Sequence, residues 1–427
     1  MKRVAWIKEE LEKGRLDERM RAIYVDKAAI ERQRERYGIA LERFRQLFPN
    51  ETQAEIYSAP GRSEVCGNHT DHQGGMVLAA SVNQDAIAIV AKSEEPFVRL
   101  ASGDFPVVEM EIDDLKVREE ERNTTAALIR GVIAGIRDRG YQTGGFTTYI
   151  TSDVLMGSGM SSSAAFESLL GTILSGLYNE QRISAGELAQ IGQFAENVYF
   201  GKPCGLMDQM ACSVGGMVYI DFKDRERPVV ERVESDFEKA GISLCIVDTG
   251  GSHADLTPDY AAVPLEMGAV AKLFGKQVLR EVSEQEFYQG IPRLRGKVSE
   301  RALLRAIHFF EENKRVERAA AALRASDYNA FLEVIKRSGD SSAKFLQNIY
   351  SPRAVETQNV TLALALSERI LGEDGVCRIH GGGFAGTIQA FVKNEAVPYY
   401  KERMEAVFGE NSCHVLKIRP EGGVRVW

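Results

Sequence analysis

Six cysteines in 427 residues, none in a CxxC spacing, are too few and too scattered for a disulfide framework or a structural zinc site. They read as reduced thiols of a cytosolic protein. Positive charge is also short. With 53 Lys and Arg against 61 Asp and Glu, the formal net charge is −8, which argues against a generic nucleic-acid binder while leaving room for a local basic pocket. No uncharged apolar run reaches the roughly 18 residues of a membrane span. The N-terminus, rich in both charge signs, lacks the apolar segment of a signal peptide. No internal repeat or low-complexity linker is visible. What is left is ordinary globular composition, 44% hydrophobic and 27% charged, enough for a large core and for two domains.

The stretch that organises the rest is Gly157 to Ser163, GSGMSSS. It follows a strand-like run, Gly145 to Asp153, and precedes an apolar segment with helical spacing, Ala164 to Tyr178. Glycine lets backbone approach a ligand closely, and a helix N-terminus offers unpaired N–H groups and a positive dipole end. Together Gly157, Ser158, Gly159, Met160, Ser161, Ser162 and Ser163 make an anion site suited to phosphate. A serine N-cap explains one of these serines, not three in a row. The Lys that a P-loop places after its last glycine is missing, so this is not a Walker-type site.

Residues Met1 to Pro49 carry apolar positions at helical spacing (Ile30, Tyr37, Leu41, Phe44, Leu47), which predicts two or three amphipathic helices. The arginines from Arg32 to Arg45 alternate with glutamates, as on a solvated helix face. Ala59 to Gly75, APGRSEVCGNHTDHQGG, is a polar segment holding Arg62, Glu64, Asn68, His69, Asp71 and His72, followed by strand-like residues up to Val90. Such a density of hydrogen-bonding side chains suits a polyol; a hairpin loop capping its own backbone is the plainer reading. The His69–His72 spacing is weak support for a metal.

Thr124 to Gly140 predicts an amphipathic helix. Ser184 to Tyr199 predicts another, opened by a Ser184/Glu187 capping box. That helix carries Glu196 near its C-terminal end, where the dipole disfavours an acid. A surface glutamate and a cation ligand are both open there. Asp208, among Leu206, Met207 and Met210 in GKPCGLMDQMACSVGG, is either a buried structural pair or a reacting group. From about Glu231 the pattern changes. Ile242 to Asp248 reads as a strand, Ser299 to Leu346 and Val355 to Leu371 as long helical stretches, and Gly375 to Val392 as two strands around a glycine-rich turn. Glu395 to Phe408 reads as a helix and Cys413 to Ile418 as a strand.

The ordered set APGRSEVCGNHTDHQGG, GSGMSSSAA and HGGGFAG resembles the three motifs of the GHMP small-molecule kinases, and the first motif with CGLMDQ looks like the galactokinase family. The likeness runs from about Ala59 to Val392. It implies an α+β fold of two domains, a ribosomal-protein-S5-like N-terminal domain over 51–230 and a ferredoxin-like C-terminal domain over 231–427, with the active site in the cleft between them; residues 1–50 stand outside the likeness as a charged helical extension. It implies ATP-dependent phosphorylation of a sugar at its anomeric hydroxyl; composition and charge add the expectation of a cytoplasmic protein with no nucleic-acid or membrane partner. By position, Gly157 to Ser163 would cradle the ATP phosphates. Ser163 or Ser162, with Glu196, would hold Mg²⁺. Asp208 would face the reacting hydroxyl with Arg62 beside it. Asn68, His69, Asp71, Gly205 and Tyr260 fall at sugar-contacting positions, and Gly382, Gly383 and Phe384 at the third motif, which supports the serine loop.

The chain departs from the galactokinase pattern in several places. Asn68 stands where those enzymes have a glutamate facing the sugar C6 hydroxyl, and Glu64 where they usually have asparagine. His72, His380 and Ala385 also depart. An uncharged Asn68 would no longer repel a C6 carboxylate, which adds a hexuronic acid kinase to the readings beside a galactokinase. A sugar sensor that binds without phosphorylating is a third reading. The full phosphoryl-transfer set argues against it.

Overall fold

The structure, a computed structural model, describes residues 1–103, 105–154, 160–251 and 256–427. The chain opens with a short strand β1 (Lys2–Arg3) and three helices, α1 (Val4–Glu12), α2 (Asp17–Tyr24) and α3 (Ile30–Leu47). There follow β2 (Gln53–Cys66), β3 (Met76–Lys92), β4 (Phe97–Ser102), β5 (Val108–Glu111), α4 (Thr125–Asp138), β6 (Phe146–Ser152), α5 (Ser162–Asn179), α6 (Ala185–Phe194), α7 (Met207–Val214), β7 (Met217–Asp221) and β8 (Val229–Val233). The remainder is β9 (Ile242–Asp248), α8 (Thr257–Lys272), α9 (Glu284–Leu294), α10 (Glu300–Arg324), α11 (Tyr328–Ser341), α12 (Asn359–Leu371), β10 (Gly375–Ile379), β11 (Thr387–Lys393), α13 (Val397–Phe408), β12 (Cys413–Leu416) and β13 (Val424–Arg425).

Strands β1 to β8 and β13 form one sheet with the central order β1-β2-β3-β6-β4-β5, and β10-β11-β9-β12 form a second, antiparallel sheet. The long β3 explains the layers. Its period-two alternation sends Ala86, Ala88 and Val90 into a core with α4 and α5. Ile87, Ile89 and Ala91 point to the other face, where α1, α2 and α3 cover them with Leu11, Tyr37, Leu41 and Phe44. Uncovered, each of those isoleucines would forfeit roughly 1.5–3 kcal/mol of burial. The N-terminal helices therefore complete a layer. A buried Asp85 on β3 fixes them there, taking bonds from Tyr24 and Arg36 in the helices and from Arg419 near the C-terminus.

The two sheets share a core. Leu78, Ala80 and Val82 of the first, Leu244 and Phe391 of the second, and Val316, Ala319 and Leu323 of α10 belong to one buried cluster. Among the described residues, no helix is long and apolar enough to cross a membrane.

Two expectations are corrected in detail. The helical stretch from Ser299 to Leu346 is broken at Ser326, which takes a left-handed φ of 55°, after which Asp327 caps α11 by accepting from the Ala330 N–H. The helix expected from Val355 begins only at Asn359. Helices α8 and α9 lie in a stretch with no sequence expectation. Each carries an internal proline, Pro264 and Pro292, but Ser283 and Glu286 form a capping box that marks where α9 starts.

Candidate active site

Arg62 sits near the end of β2, where the pairing with β3 slips between Pro60 and Arg62 and again between Glu64 and Cys66. The slip turns the strand towards the segment before α5. The Arg62 N–H donates to the Met160 carbonyl at 3.2 Å, and a Cβ at Gly61 would stand 3.1 Å from that same oxygen. The Arg62 guanidinium grips Asp208 bidentately, Nε to Oδ1 at 2.7 Å and a terminal nitrogen to Oδ2 at 2.6 Å. Asp208 lies in the first turn of α7, where the helix dipole favours an anion. Burial pushes its pKa up, but the charge and hydrogen bonds of Arg62, then the Ser161 hydroxyl, outweigh burial and hold it below the ordinary value. The carboxylate is 31% exposed, so it is ionised, fixed and open on one edge. The structure thus pairs Asp208 with Arg62 and leaves part of the carboxylate exposed.

Ser161 occupies the N-cap position of α5, yet its side chain makes no cap bond. With a φ of 52°, unfavourable for a residue bearing a Cβ, it instead donates its hydroxyl to Asp208. Ser162 opens α5, and Met160 is fully buried. Gly157, Ser158 and Gly159 lie outside the described residues.

A second acidic centre lies behind Ser163. Helix α6 runs into a π-helical turn, Ala195–Phe200, of the kind common at functional sites. It ends with the N–H groups of Gly201 and Lys202 both donating to the Glu196 carbonyl. The Glu196 carboxylate is only 3% exposed. Its Oε1 accepts from the Ser163 hydroxyl at 3.1 Å and lies 3.1 Å from the Lys202 ammonium, and its Oε2 accepts from Gln209 Nε2 at 2.9 Å. The same Gln209 nitrogen donates to Glu167 at 3.0 Å. Burial first, and then the neighbouring Glu196, raise the Glu167 pKa well above the ordinary range, so Glu167 is neutral.

The polar loop after β2 is shaped by Gly67, whose φ is 110° and where a Cβ would come within 2.6 Å of the Met76 carbonyl oxygen. Thr70 ties the loop by donating to the Gly67 and Met76 carbonyls. Asp71 points at Gly205, where a Cβ would stand 2.2 Å from its Oδ2, so the α7 approach and the loop meet there. His69 Nε2 bonds the Gly382 carbonyl at 2.8 Å, and burial pushes its pKa down to about 4, leaving the ring neutral. Tyr260 donates to the Gly383 carbonyl at 2.7 Å and packs edge-on against Phe384. The glycine-rich turn is therefore held to the loop by His69 and to α8 by Tyr260.

Asn68 is fully buried and its amide is spent inside the protein. Its Nδ2 donates to Glu64 Oε1 at 3.0 Å and to the Gly381 carbonyl at 2.7 Å, and its Oδ1 accepts from Asn348 at 2.7 Å. Its backbone carbonyl accepts from His308 Nε2 at 3.0 Å. Glu64 is buried too, 3.4 Å from Arg378. Burial raises its pKa to about 7 against the pull of Arg378 and Arg62. Sequence reasoning missed Lys202, Gln209, Asn348, His308 and Arg378. The first two stand inside GKPCGLMDQ. The others give no local signal, since they meet Asn68 and Glu64 across 240 to 314 residues of chain.

This geometry agrees with what the chain is similar to. Residues 127–216 match the GHMP kinases N terminal domain, and residues 42–92 match the galactokinase galactose-binding signature. A galactokinase of Streptomyces coelicolor is 30% identical over 396 residues, 91% of this chain and 98% of its own. A Lactobacillus helveticus galactokinase is 30% identical, over 84% of this chain and 91% of its own. Among solved structures, Lactococcus lactis galactokinase complexed with galactose superposes with a TM-score of 0.76 at 26% identity, over 90% of this chain and 98% of the other. Methanococcus jannaschii mevalonate kinase, at 15% identity and a TM-score of 0.61, over 86% of this chain and 98% of the other, shares the fold.

Proposed function

The chain belongs to the galactokinase family of the GHMP kinases and is a sugar kinase, and from that premise we propose that it transfers the γ-phosphoryl group of ATP to the anomeric hydroxyl of galactose. The observation that carries this reading is the Arg62–Asp208 pair, an ionised carboxylate with one open edge, fixed by a guanidinium and the Ser161 hydroxyl. In the proposed reaction Asp208 accepts the hydroxyl proton as the sugar oxygen bonds to the γ-phosphorus and the bond to ADP breaks. Arg62 keeps Asp208 ionised beforehand and stays beside the charge that develops on the transferred group. Phosphoryl transfer needs mainly positioning and charge neutralisation, which this pair supplies from one side.

On the other side, Ser163 and Glu196 supply the hard oxygen donors that Mg²⁺ prefers, and the fit is supported by a cation, the Lys202 ammonium, already lying against Glu196 Oε1. When bound, Mg²⁺ would neutralise charge on the ATP phosphates. Gln209 keeps Glu196 Oε2 oriented, and the neutral Glu167 behind it adds no second negative charge. His69, Asp71, Gly205 and Tyr260 form the proposed sugar wall, and Gly157 to Ser163 the phosphate cradle. Six free cysteines suit the cytoplasmic location we assign it.

Galactose is favoured over a hexuronic acid by one feature. A C6 carboxylate needs a cation to receive it, and the nearby Arg378 is buried and already committed to Glu64 and to the Val65 carbonyl. ADP production with galactose and galacturonic acid, each at several concentrations, tests the reading. Galactose should have the higher kcat/KM by at least about tenfold, the discrimination a lost charge-assisted bond gives. A preference for galacturonic acid would overturn the substrate, and no ADP from any sugar would overturn the activity.

A further inference from the structure

Lys202 has no role in the reading above beyond marking a place for a cation, yet its setting is unusual. Its backbone is fixed, since its N–H closes the π-helical turn on the Glu196 carbonyl at 3.1 Å. Its side chain reaches in from solvent, 60% exposed, and puts Nζ 3.1 Å from Glu196 Oε1, the same oxygen that accepts from Ser163. Its charge is also felt by Asp208, whose ionised form it helps to stabilise. Arg62 is committed to Asp208 by two bonds, whereas Lys202 is held by a single contact to one oxygen.

We propose that Lys202 is an exchangeable cation of the transfer site: it neutralises Glu196 while the nucleotide is absent, and yields that carboxylate to the divalent ion to become a ligand of the ATP phosphates. The inference rests on the assignment of Glu196 and Ser163 as the Mg²⁺ ligands. A divalent cation on Glu196 Oε1 and an ammonium on the same oxygen repel each other, so one of them must leave. Lys202 is the exposed one, on a flexible stem with three donors, and lysine binds phosphate as a point charge without needing a fixed fork geometry. The phosphate chain then offers the released ammonium an anion to bind. No bond is made or broken by Lys202; it changes partner.

The role predicts a signature that a surface ion pair would not produce. In Lys202→Met, which keeps most of the side-chain length, Glu196 is released from competition. Mn²⁺, used as the probe ion and followed by loss of the free-ion paramagnetic resonance signal, should bind the nucleotide-free full-length protein about twofold to fivefold more tightly, the worth of an exposed pair. A non-hydrolysable ATP analogue, titrated calorimetrically at saturating Mn²⁺, should bind roughly ten- to hundredfold more weakly, the worth of a charge-assisted bond. Lys202→Arg should recover most of the nucleotide affinity. Affinities that move in opposite directions support the exchange. Affinities that do not move, or that move together, overturn it. Glu196→Gln separates this from the assignment beneath it. If Glu196→Gln removes the Mn²⁺ site but Lys202→Met shows no opposed shift, the exchange alone fails. If Glu196→Gln leaves Mn²⁺ binding as it was, the metal assignment fails with it.

Discussion

On the phosphoryl side of the site, each acid is held by an opposite charge. Asp208 has Arg62, and Glu196 has Lys202, with serine hydroxyls filling in. On the sugar side the groups around Asn68 are tied mostly by neutral amide, imidazole and carbonyl bonds that run from the β2 loop to Asn348, His308 and Gly381. The first arrangement stores charge that an incoming anion or cation can rearrange. The second is made wholly within the protein, so its contribution is shape. In the proposed reading a polar residue on the first side reacts or binds. One on the second side decides where its neighbours stand.

The sharpest way to break this comparison is at Asp208. Asp208→Asn keeps the shape and the room for Arg62 but removes the charge, so kcat for ADP release should fall about 10²–10⁴-fold, the usual contribution of a general base. The variant should still fold but with a lower melting temperature, because an amide offers the buried Arg62 guanidinium one acceptor oxygen where the carboxylate offers two. A kcat within a few-fold of wild type would move Asp208 from the charged, reacting side to the merely structural one.

The two sides also differ in how far they could be read from sequence. The phosphoryl side is built from short local runs. The composition of the serine loop announces an anion site, and Ser184 with Glu187 marks the start of the helix that leads to Glu196. Even there, Lys202 acquires meaning only through the π-helical turn, which no periodicity predicts. The strands Ile242–Asp248 and Thr387–Lys393 were legible from their apolar runs, and the N-terminal helices from their stripes. The function of those helices as a cover for one face of β3 was not, because it depends on which face the other helices leave bare. The sugar side was legible only as a list of polar residues. Asn68 looks like a pocket residue in sequence; the partners that occupy its amide lie 280 and 313 residues further along.

That difference alters the expected behaviour of Asn68→Glu. From sequence, the substitution should restore a carboxylate facing C6 and shift preference towards galactose. In the structure it removes the donor to Gly381 and sets a second carboxyl against Glu64, 3.0 Å from where the amide now stands. Breaking buried bonds of this kind costs about 1–3 kcal/mol. The expected outcome is a lower melting temperature and a KM raised alike for galactose and galacturonic acid, with their kcat/KM ratio unmoved. Adding Glu64→Asn, which removes the clash of carboxyls, should recover much of the stability. A ratio that shifts towards galactose without loss of stability would return Asn68 to the pocket wall.

The smallest effect tests how neutral the sugar side is, and it falls on Glu64. Burial pushes this carboxyl up to about 7, while Arg378 at 3.4 Å, Arg62 and the Asn68 amide pull it down and Asp71 pushes it further up. If burial prevails, the native protein holds a proton on Glu64 between about pH 4.5 and 7 that the unfolded chain has released. Stability then falls as pH rises through that window, by about 1.4 kcal/mol for each pH unit, and levels off above it. His69 works against this: its depressed pKa of about 4 makes the native state gain stability as pH rises from there to the ordinary histidine range. Glu167, also raised, adds to the Glu64 trend. The wild-type curve alone therefore cannot be assigned, but the difference from Glu64→Gln can, because His69 and Glu167 titrate in both proteins. Gln copies the protonated carboxyl, so the two proteins should melt together near pH 5, and the variant should become the more stable one by pH 8, by about a few degrees or more. If instead wild type gains on the variant as pH rises, the Arg378 ion pair outweighs burial. The sugar side would then be held by charge after all, and its contrast with the phosphoryl side would disappear.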